Sequence, residues 1–269
     1  MEGEEKKSEE DRAFNKTSIP KRIAIVAAGA IVNILFGLIV YFILMTSSGT
    51  YITNEVDNVL DGYVAQEIGL QNGDKVVEIN NKKINNKIDL NNVLEKMDGS
   101  EVELKIERNN KILTYKVKPT EINENNISAY YLGITLKQAE DNLWNRCIYG
   151  ALKTKEFAFS IIDNLKQLFT GNIGIDQMTG PVGISEVVAK TNGIKEFIYL
   201  LALISLSLGV TNLLPIPALD GGKILILIIE AIRKKPLNEK LEMNLQLIGF
   251  SVLIILAIVV TYNDIIRIF

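Results

Sequence analysis

The chain has 269 residues, of which 48% are hydrophobic, and it carries a formal net charge of −3. The negative balance argues against a nucleic-acid partner held by bulk attraction, and the single cysteine, Cys147, excludes an intrachain disulfide. Histidine is absent, so these side chains cannot supply imidazole ligands to a metal. Three apolar runs reach about 20 residues, which is enough to cross a bilayer. The sequence therefore predicts a multi-pass α-helical membrane protein.

The chain starts with a polar tail, residues 1–20, whose acidic beginning is unlike the basic start of a signal peptide. A first transmembrane helix is predicted over 21–48. Lys21 and Arg22 stand directly before its apolar residues and no other charge lies within it, so the positive-inside rule places the tail in the cytoplasm. The small residues at 27–30 favour close packing against another helix.

A small α+β domain is predicted over 52–120, where charges return and the apolar runs shorten. Lys75–Ile79 has the composition of a strand, and two asparagines follow it as turn residues. Apolar residues at helical spacing further along predict a helix capped by Asn86 or Asp89. Alternating residues on both sides of a second asparagine pair, 109–110, predict a hairpin with one buried face.

A connector is predicted over 121–193. Its first part, 121–140, is a mixed segment that is polar at both ends. Residues 142–169 then place apolar side chains at helical spacing among lysines, which is typical of an amphipathic helix. The pattern leaves open whether this helix lies along the membrane or packs against a protein core.

Two further membrane segments are predicted, over 194–232 and 241–264. The first is a helix broken by Pro215 and Pro217, because proline lacks an N–H and clashes with the preceding turn. Cations between the two segments mark the cytoplasmic side. The chain then crosses outward, inward and outward again, so the α+β domain is extracytoplasmic and Asp220 lies toward the cytoplasmic side.

Asp220 directly follows an uncharged apolar run, 197–219, and precedes two glycines. A carboxylate at the end of a membrane span is costly and usually has a function. Since the prolines open the helix, Asp220 is predicted to sit on irregular backbone that protein buries or water reaches. The alternative is an ordinary turn in which the aspartate caps the next helix. These local features leave both interpretations open.

Five residues around this break resemble the third-helix motif of the site-2 protease family of intramembrane zinc metalloproteases. They are Asn212, Pro215, Leu219, Asp220 and Gly221. The resemblance implies that Asp220 is the third zinc ligand and that Asn212 hydrogen-bonds the substrate backbone. Hydrogen bonding between helices is the alternative for Asn212. Lys223 stands where the family often has histidine or arginine, and no role is assigned to it.

Two other stretches extend the resemblance. Gly69-Leu70 and Gly73-Asp74 match the core of a PDZ domain, which implies that 52–120 is PDZ-like and binds extended chain by adding a strand to a sheet edge. A structural spacer is the alternative. Residues 1–5 and 11–15 resemble the segment that follows the catalytic helix in regulator-of-sigma-E-type proteases. Ala30 replaces a proline of the family pattern.

Zinc-dependent peptide hydrolysis needs three protein ligands, an open position for water and a general base. Zincins place two histidines and the glutamate base on one helix as His-Glu-x-x-His. This sequence contains no such motif, so it offers Asp220 as a metal residue and no catalytic residue. The resemblance implies that the chain lacks the N-terminal catalytic helix, and we expect it to bind no stoichiometric zinc by itself.

Two functions follow. The first is the C-terminal part of a cell-membrane zinc metalloprotease that cleaves membrane-spanning substrates, such as anti-sigma factors or leftover signal peptides, with the PDZ-like domain controlling access. The second is a non-catalytic adaptor, a pseudoprotease that binds membrane proteins through that domain. In-frame His-Glu-x-x-His codons upstream would favour the first. A transporter would need a second broken helix in a paired half, and none is apparent.

Overall fold

The structure is a computed structural model that describes residues 14, 17–124, 127–172, 174 and 177–268. The helices are α1 (Ile19–Ser48), α2 (Val64–Glu67), α3 (Lys87–Leu94), α4 (Leu143–Phe169), α5 (Pro181–Ala189), α6 (Ile194–Asn212), α7 (Asp220–Arg233) and α8 (Glu239–Ile268). The strands are β1 (Ile52–Val59), β2 (Lys75–Ile79), β3 (Lys82–Lys83), β4 (Val102–Arg108), β5 (Lys111–Val117), β6 (Thr120–Glu124), β7 (Ile127–Tyr131) and β8 (Ile134–Gln138). The chain divides into a sheet unit, Met45–Leu152, and a helical unit, which combines Met1–Leu44 with Lys153–Phe269.

The sheet unit is built on one antiparallel sheet in the strand order β5-β4-β2-β1-β8, with β3 paired to β2. The strands β6 and β7 form a separate hairpin. Val56, Val76, Leu104 and Ile106 are fully buried at the centre of one aliphatic core, to which α2 and α3 also contribute. The strand β4 buries alternate residues, as an antiparallel strand with one covered face does.

Residues 121–140 are not the mixed connector predicted from the sequence, since most of them belong to the strands β6, β7 and β8. The strand β8 joins the main sheet by pairing with β1, from Ile52 opposite Gln138 to Val59 opposite Ile134. Most positions of β1 carry polar side chains, and its partner lies far away in the sequence. The local apolar pattern therefore gave no signal for this pairing.

Asparagine pairs form the two predicted turns of the sheet. Both residues of 80–81 and both residues of 109–110 have positive φ angles, between 46° and 63°. Two consecutive left-handed residues define a type I′ turn, whose twist suits a hairpin and which asparagine tolerates. The predicted helix start is also confirmed, because the Asn86 side chain accepts a hydrogen bond from the Asp89 N–H at 3.0 Å.

A buried ion pair fixes the loop before β2. Asp74 is 2% exposed and accepts hydrogen bonds from Arg108 Nε at 2.6 Å, Arg108 NH2 at 2.6 Å and the Gln71 N–H at 2.8 Å. Arg108 also donates to the Gly69 carbonyl. Burial opposes ionisation of Asp74, but these hydrogen bonds outweigh it and the pKa of the carboxyl lies below its usual value.

Three helices of the described chain, α1, α6 and α8, are long and apolar enough to cross a membrane. Most of their large apolar side chains are exposed within the protein, as lipid-facing residues are. The three spans predicted from the sequence therefore coincide with long apolar helices. The chain is a membrane protein with at least three candidate spans and a small sheet unit.

The helices α1 and α6 contact each other through small residues. A Cβ on Gly37 would lie 2.8 Å from the Ala202 carbonyl oxygen, and a Cβ on Gly209 would lie 2.7 Å from the Ala30 carbonyl oxygen. Ser205 Oγ donates to the Asn33 carbonyl oxygen at 2.9 Å between these two points. Close backbone approach and an interhelical hydrogen bond are how membrane helices associate without a hydrophobic drive.

The amphipathic helix α4 packs onto these two helices through Phe157. The ring of Phe157 stacks on Tyr41 of α1, with centroids 4.1 Å apart, and tilts against Tyr199 of α6 at 6.1 Å. Ile161, one turn further, is also buried, whereas Phe159 and Ile162 on other faces are exposed. The predicted helix is confirmed, and one of its faces packs against protein.

The short helix α5 is held by α8. Asp264 of α8 is fully buried, and its carboxylate accepts a hydrogen bond from the Gly183 N–H at 2.8 Å and contacts Arg267 at 3.0 Å. Cβ atoms on Gly180 or Gly183 would approach the Asp264 carboxylate to within 2.8 Å. A carboxylate supplied by another helix thus satisfies the N-terminal N–H groups of α5.

Candidate metal-ligand site at the break between α6 and α7

The predicted helix break lies at residues 213–219, between α6 and α7. The last turn of α6 tightens, since the Leu213 and Leu214 N–H groups bond to carbonyls three residues earlier. A narrow turn follows, in which the Ile216 N–H donates to the Leu214 carbonyl oxygen at 2.7 Å. Ala218 then adopts a left-handed conformation with φ 74°, which is strained for a residue with a Cβ. The prolines predicted to open the helix lie inside this segment.

Three glycines allow the broken segment to pack tightly. A Cβ on Gly221 would lie 2.2 Å from the Leu214 carbonyl oxygen, and a Cβ on Gly222 would lie 2.3 Å from the Ile216 carbonyl oxygen. A Cβ on Gly249 of α8 would likewise lie 2.3 Å from the Pro217 carbonyl oxygen. Real Cβ atoms do not approach backbone oxygens this closely, so only glycine fits. The segment is therefore clamped between the start of α7 and the middle of α8.

Asp220 is the first residue of α7, so the prediction that it sits on irregular backbone is wrong by one position: the irregular segment ends at Leu219. Leu219 is the N-cap and no side chain caps the helix, so the capping interpretation of Asp220 is also wrong. The side chain of Asp220 is half-buried, and within the described chain it has no hydrogen-bond or ion-pair partner. The N-terminus of α7 favours its negative charge.

Asn212 is the last residue of α6 and is also half-buried. Its side-chain amide makes no hydrogen bond to another side chain or helix among the residues that the structure describes. Asn212 and Asp220 thus stand at the two ends of one clamped segment. Each keeps its hydrogen-bonding or metal-binding capacity unused by the described neighbours.

The distance of Asp220 from the start of α1 can be estimated along α7. Glu230, ten residues after Asp220 on α7, is 3.5 Å from Arg22 at the start of α1. Ten residues of helix rise about 15 Å. Gly249, which contacts the broken segment, is likewise ten residues from the start of α8. The rise along α7 places Asp220 roughly 15 Å from the level of the Glu230–Arg22 contact.

Phe14 packs against one face of α7, the helix that begins with Asp220. Its ring is 4% exposed, packs with Val26 and Leu227, and lies under two cations. The Arg22 guanidinium carbon is 4.8 Å from the ring centroid, and the Lys223 ammonium is 5.2 Å from it. Both distances suit cation–π attraction. Lys223, to which no role was assigned from the sequence, therefore contacts Phe14.

The described residues do not by themselves form a zinc site. Zinc requires three or four nitrogen, sulfur or carboxylate ligands, and no group of three candidate ligands occurs in the described part of the chain. Asp220 offers one carboxylate with unused oxygens. The sequence adds no histidine. Zinc bound at this carboxylate would need further ligands from outside the described residues.

Sequence reasoning missed Glu230, Phe14 and Asp264. Glu230 carried a signal, because it is an isolated carboxylate between isoleucines, and such groups in apolar helices are usually paired. Asp264 is the last residue of the predicted segment 241–264 and received no role there, whereas the structure buries it completely. Phe14 gave no signal, since its contacts depend on the tertiary fold.

Comparison with known proteins adds to this geometry. The family model described as peptidase family M50 matches residues 1–256. The zinc metalloprotease RasP of Bacillus licheniformis is 36% identical over 263 residues, which cover 96% of this chain and 62% of that protein. The regulator of sigma-W protease RasP of Bacillus subtilis is 35% identical over 264 residues, with the same coverage.

The zinc metalloprotease RasP of Shouchella clausii is 34% identical over 262 residues and gives the same proportions. The chain therefore spans less than two thirds of the length of these curated relatives. The family match covers nearly the whole chain and includes the helix break with Asp220 and Asn212. The chain belongs to peptidase family M50, the site-2 protease family of zinc metalloproteases.

Proposed function

We propose that this chain is the Asp220-bearing part of an intramembrane zinc metalloprotease that cleaves membrane-spanning proteins. The observation that carries the proposal is the clamped break between α6 and α7, which holds between apolar helices a carboxylate with no partner among the described residues. The relative in Bacillus subtilis is named as a protease that regulates sigma-W. A substrate of the anti-sigma or signal-peptide type fits that name.

Two residues of the break have assigned roles in the proposal. Asp220 contributes one carboxylate ligand to zinc, the metal that would supply the hydrolytic chemistry when the remaining ligands are present. Asn212 carries one amide donor pair and one acceptor, which match the N–H and C=O groups of an extended substrate backbone. Because the chain contains no His-Glu-x-x-His motif, we expect no stoichiometric zinc and no proteolysis from it alone.

The sheet unit is proposed to be a PDZ-like domain on the extracytoplasmic side. Two features support this. The Asp74–Arg108 pair fixes the loop at 69–74 against β4. The strand β8 lies at the edge of the sheet, with β1 as its single partner among the described strands. An extended chain could pair with the free side of β8. The basic end of the helical unit would then face the cytoplasm.

A reconstitution experiment tests the assignment of Asp220. The chain is co-expressed in membranes with a second polypeptide that carries a spanning His-Glu-x-x-His helix, and zinc per purified complex and cleavage of a membrane-spanning reporter are measured. Asp220→Ala is expected to lower retained zinc by about tenfold or more, because it removes one of three protein ligands. Asn212→Ala is expected to lower cleavage while zinc content stays unchanged.

Asp163→Ala is the matched control, because it makes the same change at an exposed carboxylate on α4. Equal zinc contents in the Asp220 and Asp163 variants would refute the ligand role. Zinc bound stoichiometrically by the chain alone would also contradict the proposal, since no group of three candidate ligands occurs among the described residues.

The adaptor remains a second candidate because the sequence has no histidine, while one edge of β8 has no partner among the described strands. An adaptor needs β8 and no metal. Pairing of an extended chain with the edge of β8 can be blocked by Leu136→Pro, which removes a backbone N–H donor from the strand. If capture of membrane proteins by the full chain depends on β8 and the reconstituted complex never cleaves, the adaptor function is supported and the protease function fails.

A further inference from the structure

A cluster of exposed cations surrounds one end of the helical unit. Residues 21–22 and 230–240 contain six cations and two carboxylates. Lys21, Arg233, Lys234 and Lys235 are all exposed. The other cation at the start of α1, Arg22, is largely buried and occupied by Glu230 and Phe14. We call the four exposed residues the basic belt.

Glu230 assembles the belt from two distant parts of the chain. One carboxylate oxygen lies 3.5 Å from Arg22 at the start of α1, and the other accepts a hydrogen bond from the Leu237 N–H at 2.8 Å in the loop before α8. These contacts bring the start of α1, which carries Lys21, beside the end of α7, which carries Arg233–Lys235. Glu230 is 7% exposed, and both of its carboxylate oxygens are engaged in these contacts. It therefore does not neutralise the four exposed cations.

Lys234 occupies a conformation that lysine does not favour. It is the C-cap of α7 and is left-handed, with φ 53° and ψ 26°. Helices that end this way usually carry glycine or asparagine there. Attraction between cations and the C-terminal end of the helix dipole explains a lysine in the last turn of the helix. It does not explain why a lysine occupies the left-handed C-cap position itself. An outlier of this kind points to a role for the side chain.

The apolar residues beside the belt indicate what it faces. Ile232 is 77% exposed, directly before Arg233, and Ile228 and Ile229 are 42% and 38% exposed one turn earlier. An exposed apolar ridge that ends in cations is the arrangement of helices in the membrane interface, with apolar side chains among the acyl chains and cations at the headgroups. A site for a free anion in water would not need the ridge.

We propose that the basic belt binds the phosphate groups of anionic lipids in the leaflet that surrounds the start of α1. Lys234 and Lys235 contact the headgroups, Ile232 inserts among the acyl chains, and Glu230 holds the α1 and α7 parts of the belt together. The inference does not depend on protease activity. It makes the lipid a ligand of α7, the helix that begins with Asp220.

The test uses the full chain purified in neutral detergent at 0.15 M salt. Phosphatidylglycerol, phosphatidylcholine and inorganic phosphate are titrated separately, and the thermal unfolding midpoint is measured at each concentration. Phosphatidylglycerol alone is expected to raise the midpoint. The double variant Lys234→Asn/Lys235→Gln should need about 25-fold more phosphatidylglycerol for the same rise, since each cation near an anionic surface contributes about fivefold.

Two controls keep the result interpretable. Lys82→Gln/Lys83→Gln removes two exposed lysines from β3 in the sheet unit and should leave the titration unchanged. Asparagine suits the left-handed position, so the double variant without lipid should unfold at the wild-type temperature or above. If it unfolds lower, Arg233→Gln alone replaces it, with about fivefold as the expected shift.

Three outcomes overturn the proposal. Equal responses to phosphatidylglycerol and phosphatidylcholine would mean that charge is not recognised. Equal stabilisation by inorganic phosphate would make the belt a site for a free anion. Unchanged phosphatidylglycerol titration in the belt variants would mean that these cations are satisfied within the chain.

Discussion

Two glycines on the same helix are expected to respond to alanine with opposite signs. Gly37 faces α6, where a Cβ would lie 2.8 Å from the Ala202 carbonyl oxygen and 2.9 Å from the Leu206 nitrogen. Gly29 lies eight residues earlier on α1 and has nothing within 4 Å of its Cβ position. Gly37→Ala and Gly29→Ala therefore make the same chemical change in the same helix, with and without a neighbour.

The magnitudes follow from two effects. Replacing glycine by alanine inside a helix stabilises it by roughly 0.5–1 kcal/mol, because the unfolded chain has less freedom to lose. At Gly37 the added methyl group forces α1 and α6 apart, and such overpacking costs about 1–3 kcal/mol. Gly29→Ala should thus stabilise the protein, whereas Gly37→Ala should destabilise it by roughly 1–2 kcal/mol net.

Thermal unfolding of the purified chain in detergent, followed by helical circular dichroism, measures both variants. A change of 1 kcal/mol shifts the midpoint of a chain of this size by about 2–4 °C. Gly209→Ala, whose Cβ would meet the Ala30 carbonyl oxygen at 2.7 Å, should behave like Gly37→Ala. Equal upward shifts for Gly29→Ala and Gly37→Ala would refute the close contact between α1 and α6.

Three further changes test other contacts of the fold. Asp264→Ala should destabilise the helical unit by about 2–3 kcal/mol, because it leaves the buried Gly183 N–H without an acceptor, and limited proteolysis near α5 should report it. Phe14→Leu keeps an apolar side chain but removes the ring beneath two cations, so it should cost about 1–3 kcal/mol in thermal unfolding. Because the pKa of Asp74 is lowered in the folded state, its contribution to stability is complete above the usual carboxyl pKa of about 3.9 and is lost as the pH falls through the lowered value. Chemical unfolding at several pH values should show this acid loss in the wild type and a flatter acid dependence in Arg108→Gln.

Matched variants separate these effects from general destabilisation. Asp264→Asn keeps an acceptor oxygen and should lose less stability than Asp264→Ala. Phe36→Leu changes a phenylalanine of α1 that is 44% exposed, and it should leave the unfolding midpoint nearly unchanged. An acid dependence in Arg108→Gln as steep as that of the wild type would show that Asp74 does not owe its lowered pKa to the arginine.

The features that could be predicted from sequence are those that a short segment determines. The asparagine pairs at 80–81 and 109–110 predicted their turns because few other residues tolerate two left-handed positions in a row. The two prolines predicted the opening of the helix after Asn212, since each removes a backbone donor. Long uncharged runs predicted the spans for the same local reason.

The features that were missed depend on contacts between distant residues. The pairing of β1 with β8 joins residues more than 70 positions apart, and polar side chains hide the alternation of β1. Glu230 looked like a charge inside an apolar helix until Arg22 and the Leu237 N–H were found beside it. The exact place of Asp220, one residue inside α7, also depends on a tertiary clamp that involves Gly249 of a different helix.

The helix α7 is held at both ends, and this explains how the Asp220 backbone keeps its position although its carboxylate has no partner among the described residues. At its start the glycines pack against the carbonyls of the broken segment, and at its end Glu230 binds Arg22. A helix of 14 residues is about 21 Å long and does not bend easily, so fixing both ends fixes every residue between them. Asp220 therefore needs no hydrogen bond of its own to keep its position. The backbone sets the position of its Cα, and no residue that the structure describes bonds to either carboxylate oxygen.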